Sequence, residues 1–254
     1  MKLKDKIVVV TGGGSGIGAA MARRFVREGA ARVIVADLNG AHAEQVAAEI
    51  GGTAETVDVA DEAQIRELIE RTERDVGPID LFCSNAGIGI GRGLETSNAD
   101  WDTILGVNVM AHVYAARHLV PRMAARGGGY LLNTASAAGL LSQIGSVTYA
   151  VTKHAAVSLA EWISITHGDE GIRVSVLCPQ AVDTPMIAGT DAGGVAGVDG
   201  IMSADTVAEV VVQGLEAEKF LILPHPVVGE YIQRKAGDYD RWLAGMRKLQ
   251  ARFG

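Results

Sequence analysis

The sequence lacks the features that define several large classes of protein. It has two cysteines, Cys83 and Cys178, which are too few for a disulfide framework. No segment approaches the roughly 20 apolar residues that cross a membrane, and the N-terminus has no apolar signal region. No spacing of His, Cys, Asp or Glu is typical of a metal site. We therefore expect a soluble, cytoplasmic protein with buried free thiols, no metal and no membrane partner.

A basic surface and an internal linker are also missing. The chain carries 23 basic and 30 acidic residues, and no basic stripe stands within the predicted folded body. Proteins that bind nucleic acid use such a stripe to neutralise phosphates, so we expect no nucleic-acid partner. No Pro-rich or Ser-rich linker divides the 254 residues, whose number suits one large α/β domain. We predict a single domain over residues 1–254.

Short apolar runs alternate with helical patterns along most of the chain. Each run is apolar on both faces, which is typical of strands in a parallel sheet that helices cover on both sides. The predicted strands are residues 7–10, 33–36, 53–57, 79–83, 130–133, 174–177 and 220–223. This alternation predicts a doubly wound α/β architecture.

The first apolar run leads directly into a glycine-rich turn that precedes a helical pattern. Glycine lets the backbone turn tightly, approach phosphate oxygens and pack the helix on the strand. The free N–H groups at the start of the helix favour a pyrophosphate. This context predicts a Rossmann fold with a dinucleotide site. The expected cofactor contacts in the turn are Gly12, Ser15, Gly16, Ile17 and Gly18.

An acidic residue, Asp37, ends the second apolar run about 20 positions further on. Its carboxylate would accept a hydrogen bond from a ribose 2′-hydroxyl and repel a 2′-phosphate. The next residue is Leu38, and the glycine turn contains no Lys or Arg that would neutralise a phosphate. These residues predict NAD rather than NADP. The alternative is that Asp37 only caps a turn or the helix that begins near Ala41.

A second group of polar residues predicts chemistry. Tyr149 and Lys153 lie four apart, so on a helix they share one face, and Ser136 follows a predicted strand at its carboxyl edge. A tyrosine that acts as a base near neutrality needs a pKa roughly two to three units below its usual value of about 10. The Lys153 ammonium and a positive nicotinamide would supply that shift. Tyr149 would then take an alcohol proton while Ser136 holds the oxygen. The alternative is a strand-end serine with two surface residues on a helix.

These motifs, in this order, resemble the short-chain dehydrogenase/reductase family, in its shorter single-domain branch, over about residues 5–223. The resemblance implies that Asp58 and the neighbouring Val59 contact the adenine of the cofactor. It implies that Asn108 supports a proton relay through Lys153. It also implies that the segment Asn85-Ala86-Gly87 steadies the central sheet beside the cofactor, which Tyr149 and Lys153 contact as well.

The same resemblance implies that the segment after the sixth predicted strand holds the nicotinamide carboxamide. The expected contacts are Pro179, Val182 and Thr184. The family commonly has glycine after the proline, and this chain has Gln180. That amide would narrow the site, bind the substrate or, as we favour, turn its side chain aside.

Two segments near the predicted site bear on the substrate. Residues 187–203 are glycine-rich without a regular period, which suits a lid over the substrate, with an inert loop as the alternative. Residues 137–148 are uncharged, and residues 174–218 contain no Lys or Arg. Apart from Arg92, which could approach from another loop, nothing here would pair a carboxylate or phosphate. We expect a neutral or largely apolar substrate.

The C-terminal extension, residues 224–254, differs from the body of the chain. Trp242, Met246, Leu249 and Phe253 mark one face of a helix, which favours packing on the body or a partner subunit over contact with a membrane. Residues 107–123 and 150–165 are apolar around much of a helix, and the resemblance implies pairing of such helices across two-fold axes. We predict a homotetramer, or a dimer with one of its interfaces. In the tetramer the tail would cover a neighbouring subunit's pocket.

Together these features predict an oxidoreductase that transfers a hydride between NAD and a neutral or largely apolar secondary alcohol or ketone. Two alternatives remain open. One is an NADPH-dependent ketoreductase of ketoacyl type, and the other is a dinucleotide-sensing protein without turnover.

Overall fold

A seven-stranded parallel sheet forms the centre of the computed structural model, which describes residues 1–91, 93–188 and 191–253. The strands in chain order are β1 (Ile7–Thr11), β2 (Arg32–Asp37), β3 (Thr53–Thr56), β4 (Leu81–Ser84), β5 (Gly129–Thr134), β6 (Ile172–Leu177), β7 (Val182–Asp183), β8 (Met202–Ser203) and β9 (Leu221–Ile222). The spatial order is β3-β2-β1-β4-β5-β6-β9, and β7 pairs separately with β8. Each predicted strand is present in the large sheet, and its ends lie within two residues of those predicted.

Helices cover both faces of the sheet. They are α1 (Gly16–Arg27), α2 (Gly40–Ile50), α3 (Glu62–Asp75), α4 (Asn98–Leu105), α5 (Ala111–Ala125), α6 (Ala138–Leu141), α7 (Val147–His167), α8 (Ala204–Glu216), α9 (Val227–Gly237) and α10 (Tyr239–Phe253). The side chains of α1, α2 and α8 share one buried apolar cluster, and those of α3, α5 and α7 share another. Strand residues alternate between the clusters: Val8 and Val10 join the first, and Val9 joins the second. The prediction of a doubly wound Rossmann fold is confirmed.

The strand order reverses beside β1. The chain moves outward from β1 through β2 to β3 and then returns to place β4 on the other side of β1. The connections that leave the carboxyl ends of β1 and β4 therefore diverge and open a crevice, where folds of this type bind their ligands. The glycine turn after β1 lies at this crevice.

The C-terminal extension packs above the carboxyl edge of the sheet. Val228 of α9 is fully buried against Ala137 and Leu141, and Tyr231 and Trp242 join this small cluster. The aromatic rings of Tyr231 and Trp242 are 6.2 Å apart, which links α9 to α10. Within the described ranges, none of the helices combines the length and apolar character that a membrane span requires.

Gly139 generates a stability prediction, because α6 lies directly on α7 there. A Cβ atom at Gly139 would overlap the backbone carbonyl of Lys153. We expect Gly139→Ala to lower the free energy of unfolding by at least about 1 kcal/mol, since one of the two backbones must shift. Gly168→Ala is the control, because a Cβ at Gly168 meets nothing within 4 Å. Urea unfolding of the two variants tests this, and equal stability would contradict it.

Candidate active site

The glycine turn adopts a conformation that requires glycine at several positions. Gly12 and Gly16 have φ values of 62° and 50°, in the left-handed region that other residues rarely adopt. A Cβ atom at Gly18 would overlap the carbonyl oxygen of Gly12. The turn can therefore fold back on itself and bring its backbone close to a ligand.

The start of α1 presents free hydrogen-bond donors to the crevice. Ser15 is the residue that precedes α1, and its side chain makes no capping hydrogen bond to the helix. The first turn of α1, which contains Ile17, has no acidic residue. The unpaired N–H groups and the serine hydroxyl therefore fit a pyrophosphate.

Asp37 lies at the carboxyl end of β2, beside the glycine turn. Its Oδ2 accepts a hydrogen bond from the Gly14 N–H at 2.9 Å, and its Oδ1 accepts one from the Asn39 N–H at 2.9 Å. Leu38 beside it is 70% exposed. The carboxylate thus takes the turn-capping role that the sequence left open, and it retains lone pairs for a ribose hydroxyl.

Asp58 lies at the same edge of the sheet, just beyond β3. The Val57 N–H donates to the Asp37 carbonyl at 2.9 Å, so the segments after β2 and β3 are adjacent. The Asp58 carboxylate accepts from the Ala60 N–H at 2.9 Å, and Val59 is buried. This geometry holds the segment in the place expected for an adenine contact.

The Asn85-Ala86-Gly87 segment ties three strands together behind the crevice. Asn85 Nδ2 donates to the Thr11 carbonyl at 3.1 Å, and its Oδ1 accepts from Thr134 Oγ1 at 3.1 Å. The Ala86 N–H donates to Thr11 Oγ1 at 3.2 Å. The ends of β1, β4 and β5 are thereby held in register. The sequence pattern does not reveal this linking role of Thr11 and Thr134, although both follow predicted apolar runs.

Tyr149 and Lys153 lie on one face of α7, as their spacing predicts. The hydroxyl of Ser146 caps this helix by accepting from the Tyr149 N–H at 3.2 Å. Lys153 Nζ lies 5.6 Å from the centre of the Tyr149 ring. The ammonium also donates to the Thr134 carbonyl at 3.1 Å.

Burial controls the ionisation of both side chains. It lowers the pKa of Lys153 to about 8, because the charged ammonium is removed from water. It raises the pKa of Tyr149, an effect that the nearby Ser136 hydroxyl partly opposes. The lowering of the Tyr149 pKa that the sequence predicts from Lys153 and a positive nicotinamide is not present in the chain alone, in which burial is the largest effect on this group.

Ser136 lies between α7 and the segment after β6. Its Oγ accepts from the Ala138 N–H at 3.1 Å and donates to the Pro179 carbonyl at 3.4 Å. Beyond Pro179, the chain passes through the buried Val182 and the partly buried Thr184 towards the glycine turn, and a Cβ at Gly16 would lie 3.0 Å from Thr184 Cγ2. The segment expected to hold the nicotinamide therefore faces the turn expected to hold the pyrophosphate.

Asn108 lies in a π-helical segment, Gly106–Met110, between α4 and α5. It is fully buried, and its side chain exchanges hydrogen bonds of 2.9 Å with the backbone of Ile88. Its Nδ2 also donates to Thr152 Oγ1 at 3.2 Å, next to Lys153. Such π-turns are frequent at functional sites. The continuous helical pattern of the sequence does not reveal the extra residue in this turn.

A cavity of about 630 Å³ opens outward from Ser136. Its walls come from residues 136–144, from the segment expected to be a lid and from the C-terminal extension. Trp242, Met246 and Leu249 line it together, as their spacing on one helix face predicts. The tail thus lines a cavity of its own chain, while its contact with a neighbouring subunit's pocket stays a prediction. Arg92, Gly189 and Thr190 lie outside the described residues.

Gln180 joins the lid segment to the tail. Its Nε2 donates to Asp199 Oδ2 at 2.8 Å, and the Tyr231 hydroxyl donates to Asp199 Oδ1 at 3.0 Å. The Gln180 N–H donates to His225 Nδ1 at 3.2 Å. We favour, from the sequence, a Gln180 side chain that turns aside. That expectation does not include the bridge, because Asp199 and Tyr231 come close to Gln180 only in the folded chain.

The two cysteines are free thiols, as the sequence predicts. Cys83 and Cys178 are buried free thiols, and burial raises the pKa of Cys178 to about 12. Among the described residues, no three His, Cys, Asp or Glu side chains form a group that could hold a metal ion.

The crevice beside the glycine turn, with Ser136, Tyr149 and Lys153 at its edge, is typical of a dinucleotide-dependent oxidoreductase. The chain belongs to the short chain dehydrogenase family, whose model matches residues 6–193. The 1-deoxy-11-beta-hydroxypentalenate dehydrogenase of Streptomyces exfoliatus is 38% identical over 231 residues, which cover 87% of this chain and 84% of that protein.

Two further proteins show the same relationship. The meso-2,3-butanediol dehydrogenase of Serratia marcescens is 35% identical over 193 residues, which cover 74% of this chain and 76% of that protein. A short chain dehydrogenase/reductase from Burkholderia phymatum, solved in complex with NAD, superposes with a TM-score of 0.85 at 28% identity. That superposition covers 94% of this chain and 96% of the other.

The burial of Lys153 makes folding stability depend on pH. Because burial lowers the pKa of Lys153 from 10.5 to about 8, the unfolded chain retains this proton over a pH range in which the folded chain loses it. The destabilising effect of the buried charge is complete below about pH 8 and disappears as the pH rises towards 10.5. Relative to Lys153→Met, we expect the free energy of unfolding of the cofactor-free protein to rise over this window by up to about 3 kcal/mol.

Urea unfolding at a series of pH values measures this difference. Lys248→Met, which removes an exposed ammonium from α10, is the control and should follow the parent protein throughout. A constant difference between the parent and Lys153→Met at every pH would contradict the prediction.

Proposed function

We propose that the protein is an NAD-dependent dehydrogenase that interconverts a neutral or largely apolar secondary alcohol and its ketone. The observation that carries this proposal is the convergence of Ser136, Tyr149 and Lys153 at the end of an apolar cavity. Lys153 Nζ is 5.6 Å from the Tyr149 ring, and Ser136 lines the cavity. The relatives named above support an alcohol as substrate, because hydroxypentalenate and 2,3-butanediol both carry a hydroxyl by name.

The proposed roles of the residues follow from their chemistry. Tyr149 takes the proton of the substrate hydroxyl, and Ser136 donates a hydrogen bond to the substrate oxygen. Lys153 stabilises the tyrosinate by its charge, and Asn108 supports a relay through Lys153 that carries the proton gained by Tyr149 away from the site. Bound NAD supplies the nicotinamide that accepts the hydride and adds a positive charge beside Tyr149.

The proposed cofactor contacts extend along the crevice. Gly12, Ser15, Gly16, Ile17 and Gly18 hold the pyrophosphate, and Asp37 and Leu38 surround the ribose. The adenine side is formed by Asp58 and Val59. The nicotinamide side is formed by Asn85, Ala86, Gly87, Tyr149, Lys153, Pro179, Val182 and Thr184. The turn contains no Lys or Arg, which supports NAD over NADP and argues against an NADPH-dependent ketoreductase.

The wider organisation is also a proposal. We place one domain over residues 1–254, with residues 187–203 as a substrate lid and residues 224–254 as a cover over the cavity. Trp162 and Ile165 of α7 are 58% and 84% exposed, which supports an interface there in a homotetramer. Two buried free thiols support a reducing compartment such as the cytoplasm.

Asp37 should set the choice of cofactor. Its carboxylate is placed to distinguish a ribose hydroxyl from a phosphate, so Asp37→Ala should raise KM for NAD and narrow the advantage of NAD over NADP. Asp61→Ala is the control, because Asp61 also accepts a backbone N–H, from Ala63, but does so at the start of α3. Steady-state kinetics with both cofactors provide the measurement. An unchanged preference for NAD over NADP in Asp37→Ala would contradict the proposed role of Asp37 in the choice of cofactor.

Tyr149→Phe should abolish turnover while NADH binding remains. The lost hydroxyl acts on the substrate, whereas the cofactor rests mainly on the glycine turn. We expect kcat to fall at least about a hundredfold. Tyr114→Phe, on α5, is the control for removing a tyrosine hydroxyl. Kinetics and NADH fluorescence titration separate the two effects, and residual activity within about tenfold of the parent would exclude Tyr149 as the base.

A further inference from the structure

The outer part of the cavity carries positive charge that its inner wall lacks. Residues 137–148 and 174–218 contribute no Lys or Arg to the walls. The C-terminal extension, however, places Arg234 and Arg241 in the lining. The two uncharged segments alone predict a cavity without a cation. The arginines come from the tail, which lies far away in the sequence.

The two arginines differ in their surroundings. The Arg234 guanidinium donates to Glu230 at 3.0 Å and lies 5.5 Å from the centre of the Tyr231 ring. The Arg241 guanidinium has neither an ion pair nor a hydrogen bond to any residue in the described ranges. Arg241 is therefore the lining cation whose charge the protein leaves unpaired.

The acidic groups near the cavity mouth are engaged elsewhere. Asp238 also lines the cavity, and its Oδ1 accepts the backbone N–H of Arg241 at 2.9 Å at the start of α10. Asp199 accepts the hydrogen bonds from Gln180 and Tyr231. Neither carboxylate forms an ion pair with the guanidinium of Arg241.

The remainder of the wall is apolar and wide. Leu141, Ile144, Val195 and Trp242 contribute to it, and its volume of about 630 Å³ is in the range of sites that hold ligands of drug size. A molecule as small as a four-carbon diol would leave most of this space unfilled. The cavity therefore suits a bulky apolar body, and the planar guanidinium at its mouth suits a carboxylate.

We propose that the substrate is a bulky, mostly apolar secondary alcohol that ends in a carboxylate, and that Arg241 binds this carboxylate at the cavity mouth. The inference rests on the proposed function, which places the hydroxyl of the same molecule beside Ser136. Arg241 is then a specificity-determining residue that takes no part in the hydride transfer.

Matched substrates test the proposal. We would assay medium-chain and long-chain hydroxy acids, with the secondary hydroxyl near the end distant from the carboxylate, together with their methyl esters. In the parent protein we expect kcat/KM for the best acid to exceed that for its ester by about tenfold, because the ester lacks the charge. The preference should be greatest at one chain length, at which the molecule spans from Ser136 to Arg241.

Three variants separate the effect of the charge at position 241 from an effect on the folding of α10. Arg241→Gln should remove the preference for the acid and leave kcat/KM for the ester within about twofold, and Arg241→Lys should retain part of it. Arg247→Gln is the control, because Arg247 lies exposed on the same helix and outside the cavity lining. Far-UV circular dichroism checks that α10 remains folded in each variant.

The outcomes distinguish this inference from the proposed function. If the parent oxidises acids and esters equally, or if Arg241→Gln keeps the preference, the carboxylate site is excluded while the dehydrogenase stands. If the parent oxidises no alcohol of either series and none of a general panel of secondary alcohols, with NAD or NADP, the proposed dehydrogenase activity itself is excluded. An acid preference that Arg241→Gln abolishes and Arg247→Gln retains supports both.

Discussion

The buried ammonium of Lys153 is the constraint on which the arrangement of the site depends. A charge removed from water is costly unless polar groups surround it, and here the Thr134 carbonyl accepts one of its hydrogen bonds at 3.1 Å. Gly87 leaves room for the ammonium, since a Cβ there would lie 3.2 Å from Nζ. Gly139 lets α6 lie against the backbone of α7 at the same level. The ends of β4 and β5 and two helices thus meet around one cation, and Tyr149 lies beside it.

The sheet and the cofactor crevice could be predicted because their signals are local. Strands buried on both faces appear as apolar runs, and a strand, a glycine turn and a helix within residues 7–27 define the phosphate-binding geometry. Tyr149 and Lys153 are separated by one helical turn, so their convergence follows from spacing alone. In contrast, β7 and β8 are two residues long and lie in a segment without periodicity. The π-turn at Asn108 is hidden because it leaves the helical pattern unbroken.

The substrate side could not be predicted in the same way, because it is assembled from distant parts of the chain. Ser136, Gln180 and Trp242 line one cavity although they span more than a hundred positions in the sequence. Local composition showed that two wall segments are uncharged, but it could not show that Arg241 faces the same space. The family model ends at residue 193, so α9 and α10 lie outside the part that it matches. The family motifs therefore give no expectation for the residues of the tail that line the cavity.

The bridge from Gln180 through Asp199 to Tyr231 joins the segment beside the crevice to the cover of the cavity. Gln180 follows Pro179, whose carbonyl accepts from Ser136, and precedes the segment that faces the glycine turn. A cofactor that fixes this segment therefore also fixes one anchor of the cover over the substrate cavity. The bridge is already formed by the chain alone, so a displacement of this segment would be transmitted to Tyr231 and to the tail that covers the cavity. The crevice and the cavity are therefore mechanically linked through one carboxylate.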